Sequence, residues 1–291
     1  MHTKELSRTS AILHAVESEL GSKQETFKFD NDRYTIRVAN DLNTRRQAYE
    51  LIYDLYIEKG FAKPDMSEMW FSIHDALPNT VTFVVENQSG DMVGTATVIL
   101  DTGMRLPIDT IYPEEIKALR SKGRCPSEVA HFGVRDNLKG GMQVLVKLFN
   151  FFYIYAHRIC KSTDFVITVN PRHASFYKKA LLFNQVGEER DYGKVNGAPA
   201  VLMHLDLSVP AQQIRLEHEQ GKRTGTIYKY FYSTSEEPEI AQKLIKTIRP
   251  MTEKEFRYFF VEQTNLFMRA STRQRHYLEK CYLTHDMVEV A

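Results

Sequence analysis

The 291-residue chain is long enough for one large domain or a domain with a substantial appendage, and its 43% hydrophobic and 11% aromatic content excludes an intrinsically disordered protein. Its formal net charge of +1 provides no bulk field that would select a nucleic acid or an anionic membrane. Three cysteines, Cys125, Cys160 and Cys281, stand far apart with no CxxC pair, which excludes a disulfide framework or a cysteine zinc site and fits a reducing, cytoplasmic setting.

The stretch MHTKELSRTSAILHAVESELG lacks a continuous apolar segment and carries Glu5, Glu17 and Glu19, unlike a signal peptide. Residues 1–30 are expected to form a short helix and a polar linker. Tyr34 to Val38 alternates as a strand does, and Asn43 to Glu58 places Ala48, Leu51, Ile52 and Leu55 at helical spacing before a stop at Gly60. Thr80 to Glu86 and Met92 to Leu100 read as two strands joined by the hairpin loop Asn87 to Asp91. Pro107, Pro113 and the Glu114–Glu115 pair punctuate a loop and a short helix ending near Lys122. Val129 to Val134 reads as a strand and Met142 to Ile159 as a helix whose polar members Gln143, Lys147, Asn150 and His157 form one narrow stripe. Its apolar run, Val144 to Ala156, is interrupted by Lys147 and Asn150 and is too short to span a bilayer, so membrane contact is at most peripheral. Phe165 to Val169 is a short apolar strand of the kind found in parallel sheets, completing a βαβ unit with a right-handed crossover. Ala174 to Leu182 reads as another helix, and Ala200 to Leu207 as a final strand.

After Pro210 the character changes. GKRTGTIYKYFYSTSEEPE reads as a linker or hairpin, followed by amphipathic helices over Glu239 to Ile248 and Thr252 to Met268 on either side of Pro250. The division expected is therefore residues 1–30, a catalytic domain over 31–208, and a mostly helical extension over 209–291. Lys222, Arg223 and Lys229 interleave with Tyr228, Tyr230 and Tyr232, a pattern that can contact nucleic acid but reads better as an edge strand packing its tyrosines on a core. No nucleic-acid partner is expected.

The chain contains no GxGxxG, Walker loop, GxSxG elbow or HExxH, and its ten histidines lack metal-ligand spacing, so no metal site is expected. The informative stretch is SEVAHFGVRDNLKGG, Ser127 to Gly141. Glu128 is either a surface carboxylate at a strand start or a general base, whose pKa burial in a cleft would raise toward the working pH. His131 either orients Glu128 or is a hydrogen-bonded core histidine. Arg135, Lys139, Gly140 and Gly141 stand where a strand meets a helix N-terminus, whose free N–H groups and dipole attract phosphate. The glycines allow close backbone approach, although a simple loop is the plain alternative. In NPRHASFYKKALLF, Asn170 and Pro171 end a strand, and Phe176, Tyr177, Ala180 and Leu181 form an apolar helix face. Tyr177 is either core or a phenol able to protonate a leaving thiolate. Arg172 is a candidate partner for a desolvated substrate carboxylate, with Asn170 and His173 beside it.

The order of elements, the loop after the fourth strand and the N-x-x-x-x-x-F-Y helix after the fifth resemble the GNAT acyltransferase superfamily. VNPRHASFYKKALLF followed by GEERDYGKVNGAPAVLMHLDL looks more specifically like the long-chain N-acyl amino acid synthases of the Fee type, best known for making N-acyl tyrosines. The resemblance covers roughly Tyr34 to Leu207. These enzymes are cousins of the acyl-homoserine-lactone synthases, whose E-x-S-R-F-x-V strand is matched here by Glu128, Phe132 and Val134, while Ala130 and His131 replace its Ser and Arg. Thr97 stands where the cousins' third strand has Arg. Trp70-Phe71-Ser72-Ile73-His74-Asp75 stands near the place of their acidic E-x-D-x-[FY]-D segment. These departures count against a homoserine lactone product.

The resemblance implies an α/β, GNAT-like fold with a mixed central sheet flanked by helices and followed by a helical extension. It implies transfer of a long-chain acyl group from acyl carrier protein to the α-amine of an amino acid, with no permanently bound cofactor. Glu128 and His131 would face the amine, while Phe132, Gly133, Val134, Arg135, Lys139, Gly140 and Gly141 would hold the pantetheine arm, its thioester and its phosphate. The loop lacks the Q/R-x-x-G-x-G/A run of coenzyme A users, which favours a carrier-protein donor while leaving acyl-CoA possible. Two alternatives remain: an acyl-CoA-dependent transferase on the same fold, and a non-catalytic module that holds acylated carrier protein.

Overall fold

The computed structural model describes residues 25–136, 138–220 and 227–282, and the helix expected near the N-terminus lies outside them. Nine strands form one sheet in the order β1-β2-β3-β4-β5-β6-β9-β7, with β8 pairing on β9. The ranges are β1 Phe27–Phe29, β2 Tyr34–Val38, β3 Val81–Asn87, β4 Met92–Leu100, β5 Pro126–Val134, β6 Asp164–Val169, β7 Asn184–Gln185, β8 Arg190–Tyr192 and β9 Ala198–Asp206. Every pairing is antiparallel except β5 with β6, which a crossover helix connects. The βαβ unit read from periodicity is therefore present.

The first helix, α1 (Leu42–Glu58), starts at Asp41, whose Oδ1 accepts from the Thr44 N–H at 2.9 Å. Its apolar face, including Leu51, Ile52 and Leu55, lies on the sheet and approaches β5 closely. A Cβ added at Gly133 would stand 2.6 Å from Leu55 Cδ1 and 2.9 Å from Ile52 Cδ1. Two shorter helices follow, α2 (Pro113–Ser121) and, after β5, α3 (Gly141–Tyr153), which runs on through a π turn to Ile159. Helix α4 (Pro171–Leu181) begins at Asn170, whose side chain accepts from the Arg172 N–H.

Strand alternation divides the core into two faces. Phe165, Ile167 and Val169 of β6 join Val201, Met203 and Leu205 of β9 under α3, whereas Val166 and Leu202 point into a second cluster on the opposite face. The C-terminal segment covers both. Its helices α5 (Val209–Glu219), α6 (Ile227–Tyr232) and α7 (Glu237–Thr247) precede α8 (Glu253–Arg257, extended by a π turn), α9 (Leu266–Arg269) and α10 (Thr272–Tyr282). Phe231, Ile240 and Leu244 enter the α3 cluster, and Phe256, Phe259, Phe260 and Leu278 the opposite one.

Two expectations need correction. Phe27–Phe29 is a strand, not linker, because Phe27 packs edge-on against Phe151 of α3 at a centroid distance of 4.9 Å. Ile227–Tyr232 is a helix, not a hairpin or edge strand: Tyr228, Phe231 and Tyr232 share its buried face. Lys222 and Arg223 lie outside the described residues. Asn150 of the polar stripe of α3 faces this helix. The Asn150 amide donates to the Tyr230 and Phe231 carbonyls at 2.8 and 2.6 Å, satisfying groups at a helix end that have no intrahelical partner. Lys147 pairs with Glu236 beside it.

Replacing Asn150 by Ala should therefore cost about 1–3 kcal/mol, because it strips partners from carbonyls at a packed helix end. Urea unfolding measures this, and an unchanged midpoint would show that the α3–α6 junction contributes nothing to stability.

Candidate active site

Strand β5 pairs with β6 over Pro126, Ser127 and Glu128 only, while its pairing with β4 continues to Val134. Beyond Glu128 the two strands diverge, and the β6-facing edge of β5 has no strand partner. Burial changes with it: Pro126 to Val129 are buried, and Ala130 to Val134 are half-exposed. On the β4 side the register skips, with Thr95 opposite Gly133 but Thr97 opposite Ala130, so β5 carries an extra residue. His131 occupies this bulge at φ 48°, a left-handed conformation uncommon for a residue with a side chain. The bulge bends the strand at the point where the sheet opens.

The opening is a cleft of about 1160 Å³, larger than the roughly 300–1,000 Å³ of ordinary small-molecule pockets. Its walls are largely apolar, with Leu55, Phe61, Met69, Phe71, Leu145 and Phe176 among them. Glu128, His131, Phe132, Gly133, Val134, Arg135, Gly141, Asn170, Arg172, His173 and Tyr177 all line it. Lys139 and Gly140 are not among its lining residues. The Lys139 carbonyl accepts from the Tyr34 hydroxyl, and Gly140 takes the left-handed turn (φ 79°) that opens α3 beside the Asp30 carboxylate. Gly133 makes room for α1 rather than for a ligand.

Glu128 sits at the apex where β5 and β6 part, only 3% exposed, with Oε2 accepting from the Ile108 N–H at 2.8 Å. Burial pushes its carboxyl up to about 7, although the Ile108 N–H and the charges of Lys194 and His131 pull the other way. His131 Nε2 lies 3.1 Å from Asp75 Oδ2. Asp75 is buried and also accepts from the backbone and hydroxyl of Ser72 at 2.8 and 2.9 Å, closing a capping box on a short 3-10 turn, Ile73–Ala76. Burial penalises the Asp75 charge, but His131 and Ser72 outweigh it and hold its pKa below the usual carboxylate value. Neighbouring His74 is driven down to about 4 by burial, with Lys194 adding to the effect, so it is neutral at pH 7.

Tyr56, Tyr177 and Tyr192 also line the cleft, and burial raises the pKa of each, so all three remain protonated phenols. Arg172 is exposed at the rim, where its Nε–H donates to His173 Nε2 at 3.0 Å. Lys59, paired with Asp136 at 3.6 Å, lies on the same rim. From the C-terminal helices, Leu266 and Gln274 complete one wall. Asp75, Tyr192 and Lys194 escaped the sequence reading. The only hints were that Asp75 ends the segment in the place of an acidic motif, and that Tyr192 and Lys194 fall within DYGKVNG. Among the described residues, no group of His, Cys, Asp and Glu is arranged to hold a metal, and no helix is long and apolar enough to cross a membrane.

The arrangement suits amine acylation. A carboxylate that half-ionises near neutrality can take a proton from an attacking amine, and the unpaired edge of β5 offers backbone N–H groups to a developing oxyanion. A split sheet with a buried carboxyl at its apex and a helix N-terminus beyond it fits an N-acyltransferase of GNAT-like fold. The family model for the N-acyl amino acid synthase FeeM matches residues 47–206, more than half of the chain, and the chain belongs to that family. The solved structure of FeeM, an N-acyl amino acid synthase from uncultured soil microbes, is 26% identical with a TM-score of 0.55, covering 64% of this chain and 98% of that one. The acyl-homoserine-lactone synthase LasI is 14% identical at a TM-score of 0.47, covering 60% of this chain and 90% of its own. The ribosomal-protein-S5-alanine acetyltransferase of Vibrio fischeri is 16% identical at 0.43, covering 62% and 96%. None of the curated proteins matches the chain.

Glu128→Gln should lower turnover by about 10²- to 10⁴-fold, the range typical of losing a general base. The wild-type kcat/KM should rise with pH through about 7, and that rise should vanish in the variant. Because the folded-state pKa is raised, ionising Glu128 costs stability as pH climbs from about 4.5 to about 7. The variant should thus gain on the order of 3 kcal/mol over wild type at pH 8 and little at pH 4, by denaturant unfolding. Equal stability differences at both pH values would contradict the buried, neutral-pH carboxyl.

Proposed function

We propose that the protein transfers a long-chain fatty acyl group from the phosphopantetheine thioester of acyl carrier protein to the α-amine of an amino acid, tyrosine-like by resemblance. The observation that carries this reading is the position of Glu128, a carboxyl driven toward neutrality at the apex of a cleft too large and too apolar for an acetyl group alone. Glu128 takes the amine proton, and His131, held by Asp75, lies beside it. Phe132, Gly133 and Val134 offer the free strand edge to the pantetheine arm and thioester carbonyl. Tyr177, a protonated phenol lining the same cleft, is the donor to the leaving thiolate. Membership of the family supports the reaction class; the donor and acceptor are this proposal's own.

The phosphate end favours a carrier protein over coenzyme A. Arg135 and Gly141 at the start of α3 reach the cleft, which provides for one phosphate at a helix N-terminus. Lys139 and Gly140 do not line it, so a pyrophosphate has fewer partners. The rim carries Lys59, Arg135 and Arg172, with Lys178 and Lys179 exposed on α4 nearby, a cationic surface suited to an acidic carrier.

Purified protein given long-chain acyl carrier protein or the matching acyl-CoA, with a panel of amino acids, tests the proposal by mass spectrometry of products. An N-acyl amino acid should form with a higher kcat/KM from the carrier protein. That advantage should fall steeply with added salt, because exposed charges are screened over about 8 Å at physiological ionic strength. Equal use of both donors with the same salt dependence would overturn the donor assignment, and binding without turnover would overturn the enzyme reading. In the same assay Tyr177→Phe should lower kcat with an unchanged melting temperature. The reverse pattern would make Tyr177 a packing residue.

A further inference from the structure

An amino acid brings a carboxylate into the cleft along with its amine. Once desolvated, that charge needs a cation or a cluster of N–H donors, since an unpaired buried charge is costly. Four lysine and arginine residues line the cleft, Lys59, Arg135, Arg172 and Lys194. Three are engaged: Lys59 with Asp136 at 3.6 Å, Arg135 through its Nε–H to the Met92 carbonyl at 3.4 Å, and Arg172 through its Nε–H to His173 at 3.0 Å. All three stand on the rim around the β5–α3 loop, α4 and the end of α1. Lys194 makes no hydrogen bond or ion pair among the described residues. It rises from the short 3-10 turn Gly193–Val195 between β8 and β9, in a different part of the wall, and its charge is felt by Glu128, His74 and Asp75.

We propose that Lys194 is the receptor for the acceptor's carboxylate, placing the adjacent α-amine against Glu128. This assignment rests on the acyl-transfer reading above and moves the carboxylate partner from Arg172, expected from the sequence, to a loop residue. The geometry has a chemical logic. An α-amino acid separates its nitrogen and carboxylate by one carbon, so a cation and a base that share one electrostatic neighbourhood read both groups at once. The turn is closed on itself: Asn196 and Gly197 follow at φ 57° and 73°, and the Gly197 N–H returns to the Tyr192 carbonyl at 3.1 Å. Tyr192 lines the cleft beside Glu128. Lys194 is exposed on the cleft wall, where an entering carboxylate can reach it. Lys194 is thus a specificity-determining residue, distinct from the rim cations available to the donor.

The test compares an aromatic amino acid with the amine that lacks its carboxylate, using one fixed acyl donor. Wild-type enzyme should prefer the amino acid. In Lys194→Met its KM should rise about 10- to 100-fold, as expected for a lost charged hydrogen bond, with kcat and the donor KM nearly constant. The decarboxylated amine should be used as before, so the preference collapses. Lys194→Arg should restore most of it, which a merely structural role would not predict, and Arg172→Met should leave the preference in place. A preference that persists in Lys194→Met, or that collapses in Arg172→Met instead, overturns the assignment while acyl transfer to amino acids stands. Equal use of both acceptors by the wild type overturns it as well, and acylation of neither overturns the proposed function together with it.

Discussion

Everything distinctive about this molecule follows from the parting of β5 and β6 after three paired residues. A continuous sheet would have left no space between Glu128 and α3. Instead β5 turns with β4, helped by the extra residue at His131, while β6 continues into its ladder with β9 as far as Val169. The wedge between them is the cleft. It exposes one backbone edge of a central strand, places a buried carboxyl at its vertex and lets the N-terminus of α3 point into its mouth. Local backbone strain at a bulge is a recurrent device for aiming side chains at active sites, and His131 carries it here.

Electrostatics at the vertex explain why two acidic residues behave differently. Glu128 has one N–H partner and little water, so it resists ionisation. Asp75 has three donors on one oxygen and stays charged, holding His131 in place. The other Asp75 oxygen, Oδ1, is buried without a hydrogen-bond partner. The C-terminal helices then complete the wall with Leu266 and Gln274, outside the segment that the family model matches. A segment outside the family match thereby helps to shape the cleft.

Much of this was legible in the sequence, and for stated reasons. Strand alternation and helical spacing are local signals, so β2, α1, the β3–β4 hairpin and the βαβ unit fall within a few residues of their expected bounds. Glu128, His131, Arg135, Asn170, Arg172, His173 and Tyr177 do share one cleft, because two strand-to-helix junctions of the same sheet region carry them. What escaped depends on distance or on too few residues. FKF is too short for periodicity. YKYFY alternates over five residues as a strand would, yet Tyr228, Phe231 and Tyr232 also fit helical spacing, and packing on α3 decides it. The Asp75–His131 contact spans 56 positions, and Lys194 reaches the site only because β8 folds back on β9. Nothing local records either contact.

The chemistry of the cleft turns on one physical property, a carboxyl at the vertex of the split sheet that changes charge near neutrality. Carboxyl ¹³C NMR of glutamate-labelled protein, with the Glu128→Gln variant identifying the resonance, measures this without reference to any substrate. A midpoint near pH 7 is expected for Glu128. A midpoint in the ordinary carboxylate range of about 4 to 4.5 would contradict it and would remove Glu128 as the neutral-pH base.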